Sequence, residues 1–195
     1  IDLPESLVAI GSSAFNNCTT LPEVRLPENL ESIGEYAFTG CRSLTEIAIP
    51  GSVKSIGRYA FWLCTGLMRV TMPEGVESLS DYVFSGCESL TEIAIPGSVK
   101  SIGVYAFRNC TALTDIVIPE SVEWIDKGAF CGCTGLTRMT LPFIGRSRDE
   151  ALPSAKEKYT FLGWIFDASG YDDNHLYVPG SLKEVIVTGS AIGSN

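Results

Sequence analysis

The sequence predicts an α/β repeat solenoid, strand-rich with short helical or 3₁₀ turns, in which a unit of 23 residues recurs along the chain. Self-similarity at a fixed period of this length indicates stacked supersecondary units rather than one globular core. A Leu, Ile or Met followed by Pro recurs at this spacing from Leu3 to Leu141. Two further columns keep the same step: Phe15, Phe38, Phe61, Phe84, Phe107 and Phe130, and Cys18, Cys41, Cys64, Cys87, Cys110 and Cys133.

Each unit contains three short segments. Residues 44–50 alternate apolar and polar positions and end at Pro50, which predicts a short strand, because Pro lacks the N–H that a strand ladder needs. A second apolar pair, Val53 and Ile56, follows. Residues 59–64 set apolar side chains at i, i+1 and i+4, which predicts one helical or 3₁₀ turn. Stacked units would bury the Leu, Ile, Phe and Cys columns as continuous internal ladders.

The pattern L-x-x-[IV]-x-[IL]-P followed by [VL]-x-x-I-G-x-x-A-F-x-x-C resembles the BspA-like class of leucine-rich repeats over residues 3–140. The resemblance implies a right-handed leucine-rich-repeat horseshoe. It also implies a secreted or surface-exposed protein, extracellular or on the cell surface, of a class in which many members act as adhesins.

We expect one solenoid over residues 1–195, with regular repeats at 3–140 and degenerate repeats or loop insertions at 141–181. Shifting the last regular strand by 23 and by 46 residues predicts strands at 159–164 and 182–187 in the same sheet. The chain begins and ends inside repeats, so we expect both ends to be truncated. About eight rungs at ~4.8 Å each would give a length of roughly 40 Å.

Composition and motifs argue against several kinds of partner and chemistry. A net charge of −9 disfavours nucleic acid and anionic membranes, and no run approaches the ~20 apolar residues of a membrane helix. The sequence has no catalytic signature, and its one histidine, His175, has no triad partners in a suitable motif. The repeating cysteines are expected to be reduced core thiols. The acidic run at 167–174 does not match a calcium loop. We therefore expect no enzyme activity, no cofactor and no metal.

The predicted binding surface consists of the outward positions of the stacked strands. One column carries charge and the next carries small side chains, and solenoids commonly bind partners on the surface that their parallel strands line. The protein-binding face is predicted at Glu46, Ala48, Arg69, Thr71, Glu92, Ala94, Asp115 and Val117. A competing candidate is an aromatic stripe formed by Tyr36, Tyr59, Tyr82 and Tyr105, which Trp62 would extend as an exposed residue.

Three hypotheses for function follow. The first is an adhesin-like module that binds a host extracellular-matrix or cell-surface protein. The second is a structural spacer or stalk that presents another domain. The third is the accessory domain of an enzyme whose catalytic module lies elsewhere. A charge ladder of alternating sign, formed by Glu31, Lys54, Glu77, Lys100 and Glu123, is expected to hold the stack in register.

Overall fold

The computed structural model describes residues 1–148, 162–168 and 177–188, which form a strand-rich parallel β-solenoid with a repeat of about 23 residues. The first column of strands forms one wall. Its strands are β3 (Glu46–Ala48), β5 (Arg69–Thr71), β7 (Glu92–Ile93), β9 (Asp115–Val117), β11 (Arg138–Leu141) and β12 (Glu184–Val187). The described residues thus place six strands in this column, fewer than the eight rungs predicted.

A second column of two-residue strands forms another wall, and the sequence did not predict it as strand. Its strands are β1 (Ala9–Ile10), β2 (Ser32–Ile33), β4 (Ser55–Ile56), β6 (Ser78–Leu79), β8 (Ser101–Ile102) and β10 (Trp124–Ile125). In both columns the strands pair in parallel in groups of three, as Glu46 pairs with Arg69 and Ser32 with Ser55, and the described residues form no ladder between β4 and β6 or between β7 and β9. Because side chains alternate along a strand, every unit buries the same apolar positions.

The third wall is not helical, so the helical or 3₁₀ turns predicted at each Tyr-Ala-Phe segment, and with them the α/β class, are wrong. The Tyr residues of this segment have φ of 54–58°, a left-handed conformation that a right-handed helix cannot contain. Tyr36, Phe38 and Gly40 donate their N–H groups to carbonyls of the next rung, at 2.7–3.0 Å. The residues between them close local four-residue turns, as Thr39 does by donating its N–H to the carbonyl of Tyr36 at 3.2 Å. The right-handed horseshoe shape stays a prediction.

The core between the walls consists of stacked identical side chains. The Phe rings stack with centroids 5.0–5.7 Å apart, and the five from Phe38 to Phe130 are fully buried. All seven cysteines are free. Each core thiol donates a hydrogen bond to a Phe carbonyl 26 residues earlier, as Cys64 does to Phe38 at 3.0 Å. Cysteine therefore suits this column because it is small and apolar but still donates to an otherwise buried carbonyl.

We expect the thiols to react in an order set by burial. Burial raises the pKa of Cys41 to about 11 and that of Cys133 to about 12, and it raises the pKa of Cys87 well above its ordinary range. The thiolate is the reactive form, so these thiols should be inert in the folded protein. In a titration with a disulfide reagent, exposed Cys18 should react first and half-buried Cys131 second, and the other five only in denaturant. Rapid labelling of Cys87 without denaturant would contradict this burial.

β11 and β12 are neighbours in the first column, although the repeat predicts a further strand between them. β12 pairs directly with β11, in the register Arg138 with Glu184, so the region predicted as a strand at 182–187 contains a strand at Glu184–Val187. The strand predicted at 159–164 is wrong for its described part, because Leu162–Phe166 is a 3₁₀ helix. Residues 159–161 lie outside the described residues.

The 3₁₀ helix continues the third wall, which explains why a shift of 23 residues misplaced it. Phe130 donates its N–H to the carbonyl of Ile165 at 2.8 Å, as Phe107 does to Ala129 in the regular rung. Ile165 and Phe166 are buried and occupy the place of a regular Ala-Phe pair. They follow the previous pair after 36 residues, so the unit carries an insertion of 13 residues that displaces the frame.

Candidate functional site

The strand-lined face is the outward surface of the first column, and the pleat of the strands positions its side chains. All eight residues predicted for this face are exposed, while Ile47, Val70, Ile93 and Ile116 between them are buried. Parallel pairing places Glu46 beside Arg69 and Ala48 beside Thr71. The strands thus bring the predicted residues together as two parallel columns on one surface.

The charged column is organised around two arginines. Arg69 lies between Glu46 and Glu92, with N–O distances of 3.5 and 3.6 Å. Arg138 lies between Asp115 and Glu184, with N–O distances of 3.7 and 2.7 Å. All six side chains are at least half exposed, so each ion pair contributes only about 0–1 kcal/mol to stability. The charges are therefore available to a partner at little cost to the fold.

The neighbouring column becomes more apolar toward the C-terminal end. Val117 is 62% exposed, and register continues its column through Thr140 to Ile186, which is 41% exposed. Part of this face forms a shallow depression of about 620 Å³ lined by Thr71, Ala94 and Val117. The 23-residue spacing already places Arg138 and Thr140 in the same outward columns, although the predicted binding residues stop at Asp115 and Val117. Sequence reasoning missed Glu184 and Ile186 as members of this face. The shift of 46 residues was the signal that could have included them.

The aromatic stripe is a packed ladder rather than a free surface. Its four tyrosines are half-buried, and consecutive ring centroids are 4.7–5.2 Å apart. The last ring is held by Asp167, which accepts a hydrogen bond from the Tyr105 hydroxyl at 2.8 Å. Burial, followed by this hydrogen bond, raises the pKa of Tyr105 to about 12. Trp62, predicted to be exposed, is half-buried because its ring packs edge-on against Tyr59.

The predicted sign-alternating ladder differs from the charged column of the strand-lined face. Lys54 and Lys100 form no ion pair within 4.0 Å in the part of the chain that the structure describes. Arg58 and Asp81, in a neighbouring column, do form one. Alternating charge along a column therefore does not by itself predict an ion pair. The charged ends of neighbouring side chains must also come within reach of each other.

Across residues 1–148, 162–168 and 177–188, no group of three or more His, Cys, Asp or Glu side chains could hold a metal ion. Nor do those residues include a helix long and apolar enough to cross a membrane. His175 and residues 169–174 of the acidic run lie outside the described residues. What the strand-lined face offers is a flat array of exposed charges and small side chains.

The repeat geometry agrees with comparison to known protein families. The BspA type leucine-rich-repeat region matches in six copies over residues 1–114 and 100–147. The chain belongs to this family. In the family as a whole, the leucine-rich repeat is a scaffold fold that generally carries no catalytic activity of its own. A search of curated protein sequences found no match.

Two solved structures illustrate the likeness of this BspA-type chain to bacterial leucine-rich-repeat proteins. It is similar to the T. pallidum protein TpLRR, with 34% identity and a TM-score of 0.69 over 71% of this chain and 67% of that one. It is also similar to a leucine-rich-repeat protein of Eubacterium ventriosum, with 28% identity and a TM-score of 0.56 over 67% of this chain and 42% of that one. The chain thus spans about two thirds of the first relative and less than half of the second.

Proposed function

We propose that this chain is a non-enzymatic protein-binding module of an extracellular or cell-surface protein, with the strand-lined face as its binding surface. The observation that carries the proposal is the charged column, in which Arg69 and Arg138 each lie between two carboxylates beside an exposed strip that ends in Val117 and Ile186. The extracellular or surface location follows from the family. The proposed partner is a host extracellular-matrix or cell-surface protein.

The physical argument rests on rigidity and charge placement. The strands hold the backbone of these residues at fixed spacing. Binding a partner would therefore cost little backbone entropy on this face. Exposed charges of both signs, set in a fixed pattern, favour complementary partners and repel others. The apolar strip supplies area that a partner could bury. None of this requires a catalytic group or a cofactor.

The experiment is a binding screen with a charge reversal. The protein is tested against immobilised extracellular-matrix proteins and intact epithelial cells, in its original form and with Arg69→Glu plus Glu92→Arg. We expect saturable binding that weakens by about tenfold or more in the variant, which corresponds to about 1.4 kcal/mol. The melting temperature should move by less than about 4 °C, because the exposed pairs contribute little stability.

The matched control reverses charges on another wall. Lys54→Glu plus Glu77→Lys changes two exposed residues that directly precede strands β4 and β6 of the second column. Neither residue forms an ion pair within the described residues. This variant should bind as the original protein does. Equal loss of binding in both variants would indicate a general charge effect and contradict a site on the strand-lined face.

The second candidate is a structural spacer, favoured by the strictness of the repeat. The string LTEIAIPGSVKSIG recurs unchanged at 44–57 and 90–103, which indicates duplication of a block of two units. A stalk needs only length, so removing one block of 46 residues should leave its function intact while shortening the solenoid by two rungs. A binding module should instead lose affinity when the deleted block includes Arg69.

A further inference from the structure

One rung of the second column breaks the repeat with a large aromatic side chain. The outward position of this column is serine in four successive units: Ser32, Ser55, Ser78 and Ser101. In the next unit it is Trp124, whose side chain points outward and is 41% exposed. None of the preceding units has an aromatic residue at this position. Packing of the repeat therefore does not explain why Trp124 is there.

The segment that follows β11 folds back to flank this ring. Ser147 pairs antiparallel with Trp124, and Ile125 donates its N–H to the carbonyl of Arg146 at 2.8 Å. The Arg146 guanidinium lies 5.4 Å from the centroid of the Trp124 ring. This reversed segment replaces the parallel strand of a regular rung. It makes a wall beside Trp124 that no other rung of the described chain has.

Between this wall and the second column lies a groove of about 330 Å³, at the lower end of the range of small-ligand sites. Lys100, Glu123 and Arg148 line it together with Trp124. Neither Lys100 nor Glu123 forms an ion pair in the described residues. The groove therefore presents a free ammonium and a free carboxylate beside an exposed ring.

A serine at the base of this groove has lost the partner that its counterparts keep. Ser52 and Ser98, at the equivalent position of other units, donate to main-chain carbonyls of the preceding rung at 2.6 and 2.7 Å. The hydroxyl oxygen of Ser121 is buried and has no hydrogen-bond partner among the described residues. A buried hydroxyl without a partner is energetically unfavourable. Ser121 lines the groove, so this unit differs from its counterparts at the groove as well as at Trp124.

We propose that this groove binds a pyranose ring of a neutral carbohydrate. The Arg146 guanidinium lies over one face of the Trp124 ring, so a pyranose would stack on the exposed part of the ring, whose flat shape matches the sugar. Sugar hydroxyls both donate and accept, so they suit a lining that holds donors on Lys100 and Arg148 and an acceptor on Glu123. Two cations and two carboxylates, with Glu120 as the second acid, leave no net charge, which favours a neutral ligand over an acidic one.

The test uses neutral trisaccharides as probes, namely cellotriose, mannotriose and triacetylchitotriose, followed by tryptophan fluorescence and saturation-transfer NMR. At least one should bind saturably, with a dissociation constant on the order of 1 mM or lower. Trp124→Ser should weaken this binding by about tenfold or more. This variant restores the residue that four other units carry, so it should fold and melt as the original protein does.

Lys100→Ala should also weaken binding, whereas Lys54→Ala should not. The two lysines lie in identical 14-residue strings, but only Lys100 lines the groove. The variant with Arg69→Glu and Glu92→Arg should keep full sugar affinity, so failure of the protein-binding function and failure of this site are distinguishable. The site is overturned if no neutral probe saturates, if Trp124→Ser binds equally well, or if only trigalacturonate binds.

Discussion

Replacing Phe84 by Ala should lower the free energy of unfolding by about 3–5 kcal/mol, the usual cost of emptying a buried aromatic site. Phe84 is fully buried and stacks on Phe61 and Phe107, with ring centroids 5.5 and 5.7 Å away. The rungs on both sides are held in register by strand pairing, so the cavity cannot collapse. For a domain of this size we expect the melting temperature to fall by about 6–20 °C, measured by circular dichroism.

Phe15→Ala is the matched control at the end of the same ladder. Phe15 is half-buried and stacks on Phe38 alone, at 5.0 Å. Folding removes less apolar area from water at Phe15 than at Phe84. Phe15→Ala should therefore lower the free energy of unfolding clearly less than Phe84→Ala does. Equal destabilisation by the two substitutions would mean that the ladder is not one continuous core.

Gly86→Ala should destabilise the protein by about 2–3 kcal/mol through two additive causes. Gly86 has φ of 75°, a conformation that costs an L-residue about 1–2 kcal/mol. An added Cβ would also lie 2.8 Å from the Cδ2 atom of Leu63 in the preceding rung. The substitution therefore combines backbone strain with overpacking. Urea unfolding monitored by fluorescence would measure the loss.

Two further variants separate the causes. Gly51→Ala should be nearly neutral, because no atom lies within 4 Å of its added Cβ and its φ is not positive. In a Leu63→Ala background the contact is gone, so Gly86→Ala should cost only the backbone term. An unchanged cost in that background would contradict the collision with Leu63.

The pair Leu63 and Gly86 also shows how the two-unit duplication shapes packing. In this column larger side chains alternate with glycine, and each leans over the glycine of the next rung. The alternation runs through Asn17, Gly40, Leu63, Gly86, Asn109 and Gly132. The sequence contains this pattern, but its meaning depends on the left-handed turns, which periodicity alone does not reveal.

The candidate strand-lined face could be predicted because its placement follows from two regularities. Period-2 alternation assigns Ile47 to the core and Glu46 and Ala48 to the surface, and the 23-residue spacing stacks equivalent positions. The groove at Trp124 could not be predicted in this way. It depends on the return of residues 143–148 onto β10, a contact made once and therefore without a repeating signal.

By itself the sequence determined the period, the register of the first strand column, the core ladders and the outward residues. These features follow from the alternation of apolar and polar residues, which recurs at a constant spacing. Each regular unit therefore has the same neighbours, and the pattern of one unit predicts that of the others. Only the tertiary structure decided the second strand column, the left-handed Tyr turns and the direct pairing of β11 with β12. Those features depend on which backbone groups of neighbouring rungs can satisfy each other, and such hydrogen bonds leave no mark on the side-chain pattern.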